Sequence, residues 1–161
     1  MSSGSGMIEL DRVKGTVRAS TGSGTIRAIG VAGGLRASTG SGEVTLEQTA
    51  PGDVDVTTGS GNIKLSGVRG SVRAHTASGR IAAEGEASGS WKLQTASGSV
   101  TVRLPAKTGF TLHAHTVSGT IHTAREMTVQ GTIGGRELDG KVGDGGVLLD
   151  VSTVSGNIHI E

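Results

Sequence analysis

The sequence predicts an all-β chain wound into a β-solenoid (β-helix) of about eight rungs, each of 18–19 residues and two short strands. Three observations carry that prediction. The tetrapeptide Thr-x-Ser-Gly occurs seven times, where composition alone would give about 0.4 copies, so it marks an internal repeat. Apolar and polar residues alternate on both sides of each copy, the period-2 signature of half-buried strands. Glycine supplies 29 of 161 residues, while Trp and Phe occur once each and Tyr and Cys not at all. The core must therefore be built from small side chains, and no disulfide, thiolate ligand or cysteine nucleophile is available.

The seven corners are Thr21-Gly22-Ser23-Gly24, Thr39-Gly40-Ser41-Gly42, Thr58-Gly59-Ser60-Gly61, Thr76-Ala77-Ser78-Gly79, Thr95-Ala96-Ser97-Gly98, Thr116-Val117-Ser118-Gly119 and Thr153-Val154-Ser155-Gly156. Successive gaps are 18, 19, 18, 19, 21 and 37 residues. The last gap is near two periods, which predicts a unit near Thr132-Ile133-Gly134-Gly135 that has lost its motif. Before the corner, apolar residues stand four and two positions back, as Val17/Ala19, Leu35/Ala37, Val54/Val56 and Trp91/Leu93; after it they stand five and seven positions on, as Ile26/Ala28, Val44/Leu46 and Ile63/Leu65. Two strands per period that face each other across a thin core stack with their counterparts about 4.8 Å apart, giving a rod roughly 35–40 Å long. A β-sandwich would not hold such a phase for a hundred residues.

Each corner Thr is in phase with the apolar positions before it, so it is expected to point inward. A buried hydroxyl without a partner costs about 1–3 kcal/mol, so stacked Thr and Ser hydroxyls are expected to bond to one another and to corner carbonyls as an internal ladder. The inward phase counts against an external Thr array of the ice-binding kind. The x residue grows from Gly22 through Ala77 to Val117 and Val154, and the core is expected to widen with it.

The whole of 1–161 reads as a single solenoid domain. Residues 1–6 read either as a partial first rung, because Ser3 lies 18 residues before Thr21, or as an expression scar. Neither end shows a cap, and uncapped solenoid ends expose unpaired edges. The ends are thus expected either to be covered by sequence outside these residues or to pair with other copies of the chain. The stretch 125–148 breaks the rhythm, and its glycine clusters predict a hairpin-like excursion that rejoins the coil at Leu148.

Chemistry is sparse. His113 and His115 share an outer face, with His75 two rungs away in the His115 column, but an ion needs three or four convergent ligands and two rungs, roughly 9.6 Å, are too far for a shared ion. His122 and His159 belong to the other strand's outer column. Asp55 and Asp150 share a column about five rungs apart in sequence order, too far for paired-carboxylate catalysis. No phosphate loop, regular turn Asp for calcium, or Ser–His pair is found, so neither an enzyme nor a cofactor is expected. One outer column, Arg18, Arg36, Arg73 and Lys92, is basic enough to offer a face for an anionic envelope polymer or glycan. Nucleic acid is disfavoured by a net charge of only +1 and the lack of aromatic residues. No apolar run approaches the ~18 residues of a transmembrane helix, and no signal-peptide core is present.

The repeated Thr-x-Ser-Gly-x-(Ile/Val), and above all the ending Thr116-Val-Ser-Gly-Thr-Ile121, Gly140-Lys-Val-Gly-Asp-Gly-Gly146 and Ser152-Thr-Val-Ser-Gly-Asn-Ile158, resembles the bacterial "putative adhesin" family, domain of unknown function 4097. The resemblance spans nearly the whole chain. It implies a non-catalytic β-solenoid of an envelope-associated or exported protein, with no active site to transfer. Two functions follow as expectations: an adhesion or envelope-interaction module, or a structural solenoid that polymerises end to end, similar in principle to the bactofilins. A polysaccharide-active β-helix enzyme ranks behind both.

Overall fold

A computed structural model describes residues 1–124, 128–129 and 136–161. Six rungs follow one another in chain order, each a strand of a first sheet, a corner and a strand of a second. They are β1 (Ser2–Ser5) with β2 (Ile8–Asp11), β3 (Val17–Ser23) with β4 (Ile26–Ala32), β5 (Leu35–Ser41) with β6 (Val44–Ala50), β7 (Val54–Ser60) with β8 (Ile63–Arg69), β9 (Val72–Ser78) with β10 (Ile81–Glu86), and β11 (Trp91–Ser97) with β12 (Val100–Arg103). Then come β13 (Phe110–Ser118), β14 (Ile121–Thr123), β15 (Thr128–Val129), β16 (Glu137–Val142), β17 (Val147–Ser155) and β18 (Ile158–Ile160). The first sheet has ten strands in the order β1-β3-β5-β7-β9-β11-β17-β13-β16-β15, and the second has eight, in the order β14-β18-β12-β10-β8-β6-β4-β2. The rung-to-rung pairings are parallel and join equivalent residues, as in Thr39↔Thr58↔Thr76. The all-β solenoid is as the sequence predicts. No described helix is long and apolar enough to cross a membrane.

Alternation sets the core. In β3, Val17, Ala19 and Thr21 are buried and Arg18, Ser20 and Gly22 exposed. One buried apolar cluster runs from Ile8 to Ile160. Trp91 is fully buried, and its Nε1 donates to the Gly70 carbonyl at 3.0 Å, so the single indole fills the core with its polar atom satisfied. Residues 2–5 pair with β3 in register, Ser3 opposite Thr21.

The stacking order departs from sequence order. The Thr153 rung lies between the Thr95 and Thr116 rungs, with Thr95↔Thr153 and Thr153↔Thr116 both in register. Strands β13 and β17 are nine residues each, so each is the other's best match in length. The lost unit expected near Thr132 lies outside the described residues, as does part of the 125–148 excursion. The described part is hairpin-like, with β16 antiparallel to both β13 and β15, and it rejoins the coil at Val147. That hairpin covers the outer edge of β13, which corrects the expectation of bare edges at both ends: in the first sheet β16 runs against the direction of the stack along β13, and β15 follows it at the sheet's edge.

The corners show why glycine is needed. At Gly42 φ is +142°, and a Cβ there would fall on the carbonyl oxygen of Gly24, one rung away. The turns nest so closely that only a residue without a side chain fits.

Candidate functional site

The corner ladder forms only in part. The seven corner Thr are all buried, and five of them donate to the glycine carbonyl of the neighbouring corner. These bonds are Thr39 to Gly24, Thr76 to Gly61, Thr95 to Gly79 and Thr116 to Gly156, each at 3.4 Å, and Thr153 to Gly98 at 3.3 Å. The Thr21 and Thr58 hydroxyls find no partner. The corner serines Ser23, Ser41, Ser60, Ser78, Ser97, Ser118 and Ser155 are exposed, so they form an outer row rather than part of the internal ladder. The x residues point outward too, with Val117 48% and Val154 52% exposed. Their bulk therefore lands on the edge, and the expectation of a widening core does not hold; alternation had already placed x opposite in phase to Thr.

On the outer face of the first sheet, charged residues stand in one in-register column: Arg18, Arg36, Asp55, Arg73, Lys92, Asp150, His113 and Asp139. The four predicted cations are all in it, but because of the exchanged rung order Asp150 is next to Lys92. Asp55 and Asp150 are three steps apart rather than five, and His75 reaches His115 in three steps, through Gln94 and Ser152, rather than two. The column is thus mixed in sign. Arg36 Nε lies 3.6 Å from an Asp55 oxygen, and His113 Nδ1 lies 2.5 Å from Asp139 Oδ1. Beside this column runs a groove of about 480 Å³, lined by Arg36, Asp53, Asp55, Arg73, Lys92 and Asp150, with Leu148, 41% exposed, at one side.

The second sheet carries a cleft that sequence reasoning missed. It measures about 510 Å³ and is lined by Gln48, Arg69, Glu84, Glu86, Arg103 and Leu104 among others. Two ion pairs edge it, Arg69–Glu86 at 3.6 Å and Arg103–Glu161 at 2.7 Å. The hydrogen bond to Glu161, and then that residue's charge, raises the Arg103 guanidinium above its ordinary value. The cleft floor is fixed by Gln48, only 4% exposed, whose Nε2 donates to the Gly33 and Gly52 carbonyls at 2.7 and 3.1 Å while its Oε1 accepts from the Arg69 amide at 3.0 Å. The signal in the sequence was a lone polar residue paired with an apolar one, Val31↔Gln48. Gln48→Leu is expected to lower stability by about 2–3 kcal/mol, because three backbone groups on separate turns lose the buried amide that joins them. Urea unfolding checks this, and an unchanged midpoint would show that water replaces the amide.

His122 and His159 are adjacent across the second sheet, their rings stacked with centroids 5.3 Å apart. Among the described residues no three or more His, Asp or Glu converge to hold a metal ion.

These features define a parallel two-sheeted β-solenoid whose chemistry-bearing residues lie in columns and grooves along its outer faces. The chain belongs to the Toastrack DUF4097 family, whose model matches residues 1–161. Among solved structures it is similar to a "putative cell adhesion protein" from Clostridium sporogenes, with 18% identity and a TM-score of 0.54; the match covers 70% of this chain and 56% of that one. This chain thus spans little more than half the length of that neighbour, and the likeness is one of fold. No curated protein matches the sequence. Family and neighbour together fit the β-solenoid fold.

Proposed function

We propose that residues 1–161 form one adhesion module of the bacterial cell envelope, which binds an acidic glycan along the outer face of the first sheet. The observation that carries this reading is the in-register column of Arg36, Asp55, Arg73, Lys92 and Asp150 beside a groove of about 480 Å³. Strand spacing repeats the column every ~4.8 Å, close to the rise of an extended sugar chain. Guanidinium forks pair with uronate carboxylates, and the interleaved aspartates accept hydrogen bonds from ring hydroxyls. That mixture suits a polymer carrying both groups better than a polyphosphate, which the carboxylates would repel. The cell-adhesion description of the Clostridium neighbour and the family resemblance support an exported, surface-bound setting.

The test is calorimetry with an oligogalacturonate and a neutral cello-oligosaccharide. The acidic sugar is expected to bind, less tightly as salt rises, and the Arg73→Ala/Lys92→Ala variant to bind at least about tenfold more weakly. Equal binding by the variant, or no preference for the acidic sugar, overturns the proposal.

A further inference from the structure

The rung built from residues 147–160 is an insert. It enters between two levels that precede it in sequence and hydrogen-bonds to both: the Gly98 amide donates to Ser155 and the Val100 amide to Asn157, while the Gly156 and Ile158 amides donate to Ser118 and Thr120. Six in-register pairs hold β17 to β11 and eight hold it to β13. The chain reaches this slot by a short link. Strand β16 lies on one side of β13 and β17 on the other, and only Gly143-Asp144-Gly145-Gly146 joins them. The link crosses the start of β13 at Gly109, where a Cβ would come 2.7 Å from the Gly145 carbonyl oxygen. Gly143 and Gly145 take φ of +64° and +76°, so the crossing is a tight glycine hinge.

From these observations we infer that the slot between the Thr95 and Thr116 rungs accepts residues 147–161 of a second copy of this chain, so that two molecules couple by exchanging their last rung. The pairing is the same whichever chain supplies the rung, because a second copy carries identical residues. What differs is the hinge: opened to an extended path, five peptide steps reach about 17 Å, enough to leave the molecule instead of folding back over Gly109. Exchange of an identical element is a low-cost route to a dimer. Within one chain the short hinge supplies an effective concentration on the order of millimolar, so exchange is favoured when chains fold crowded together. Once seated, the rung is paired on both edges and leaves slowly. This inference does not depend on the glycan reading, and its test uses no ligand.

The chain has no cysteine, which makes the test clean. Gln94 and Ser152 are register partners in neighbouring parallel strands, both half-buried, and the ~4.8 Å spacing of such partners lies within disulfide range. Full-length Gln94→Cys and Ser152→Cys chains are unfolded, mixed at high concentration, refolded and oxidised. A covalent dimer that joins one of each is expected, with little when the two are folded separately and then mixed. The Gln94→Cys/Ser152→Cys double variant, folded dilute, must close its own disulfide as proof of geometry. In parallel, unmodified isotope-heavy and light chains are co-refolded and weighed by native mass spectrometry. No mixed dimer in either arm overturns the inference. A mixed heavy–light dimer whose cysteine counterpart fails to crosslink also overturns it, since the chains then meet through another surface.

Discussion

Gly98→Ala is expected to destabilise the protein by about 3 kcal/mol or more, a fall in Tm of roughly 6–12 °C for a chain of this size. Gly98 has φ +145°, and its added Cβ would fall on the Gly79 carbonyl oxygen. That atom is backbone, so no rotamer change relieves the clash. The carbonyl also accepts the Thr95 hydroxyl at 3.4 Å, while the Gly98 amide donates to Ser155 at 2.9 Å. Pushing the corner outward therefore weakens a buried hydroxyl's bond and a rung-to-rung bond together. Gly4→Ala is the internal control. It has nothing within 4 Å of its built Cβ and no left-handed φ, so its effect is expected to stay within about 0.5 kcal/mol. Equal losses from both variants would show that glycine matters here through the unfolded chain and not through close approach.

The corners were the most legible part of the sequence. A Thr in phase with Val17 and Ala19 has to be inside because side chains alternate across a strand, and seven copies repeat the message. The same phase placed x and Ser outside; the reading that Val117 and Val154 swell the core followed their volume and ignored it. Stacking order was not legible. Thr116-Val-Ser-Gly-Thr-Ile and Thr153-Val-Ser-Gly-Asn-Ile are nearly interchangeable units, so spacing along the chain cannot say which sits on Thr95. The matched nine-residue strands and the glycine hinge decide it, and both lie beyond the repeat.

That order rewrote the candidate site. The basic column was visible from position alone, since Arg18, Arg36, Arg73 and Lys92 recur at one phase. Its neutralisation beyond Lys92 was not, because Asp150 is remote in sequence and becomes a neighbour only through the inserted rung. The Gln48 cleft was hidden for a different reason. A single polar residue in an apolar column is weak evidence on its own, and its three partners come from Gly33, Gly52 and Arg69, on separate turns.

Trp91→Ala should cost about 3–5 kcal/mol, and where the loss appears matters more than its size. Trp91 is the largest fully buried side chain; its register partners are Val72 on β9 and Leu149 on the inserted β17, and its Nε1 is bonded to the Gly70 carbonyl. Truncation opens a cavity between those rungs and removes the partner of that carbonyl. In a solenoid each rung touches only its neighbours, so the damage should stay local. Hydrogen exchange is expected to quicken at amides of Val72–Ser78 and Val147–Ser155 while those of Val17–Ser23 keep their protection. Trp91→Phe, which preserves most of the packing but not the donor, should recover more than half of the loss if volume dominates. Uniform loss of protection along the whole chain would mean that the rungs unfold as one cooperative unit, and that the inserted rung is no more separable than any other.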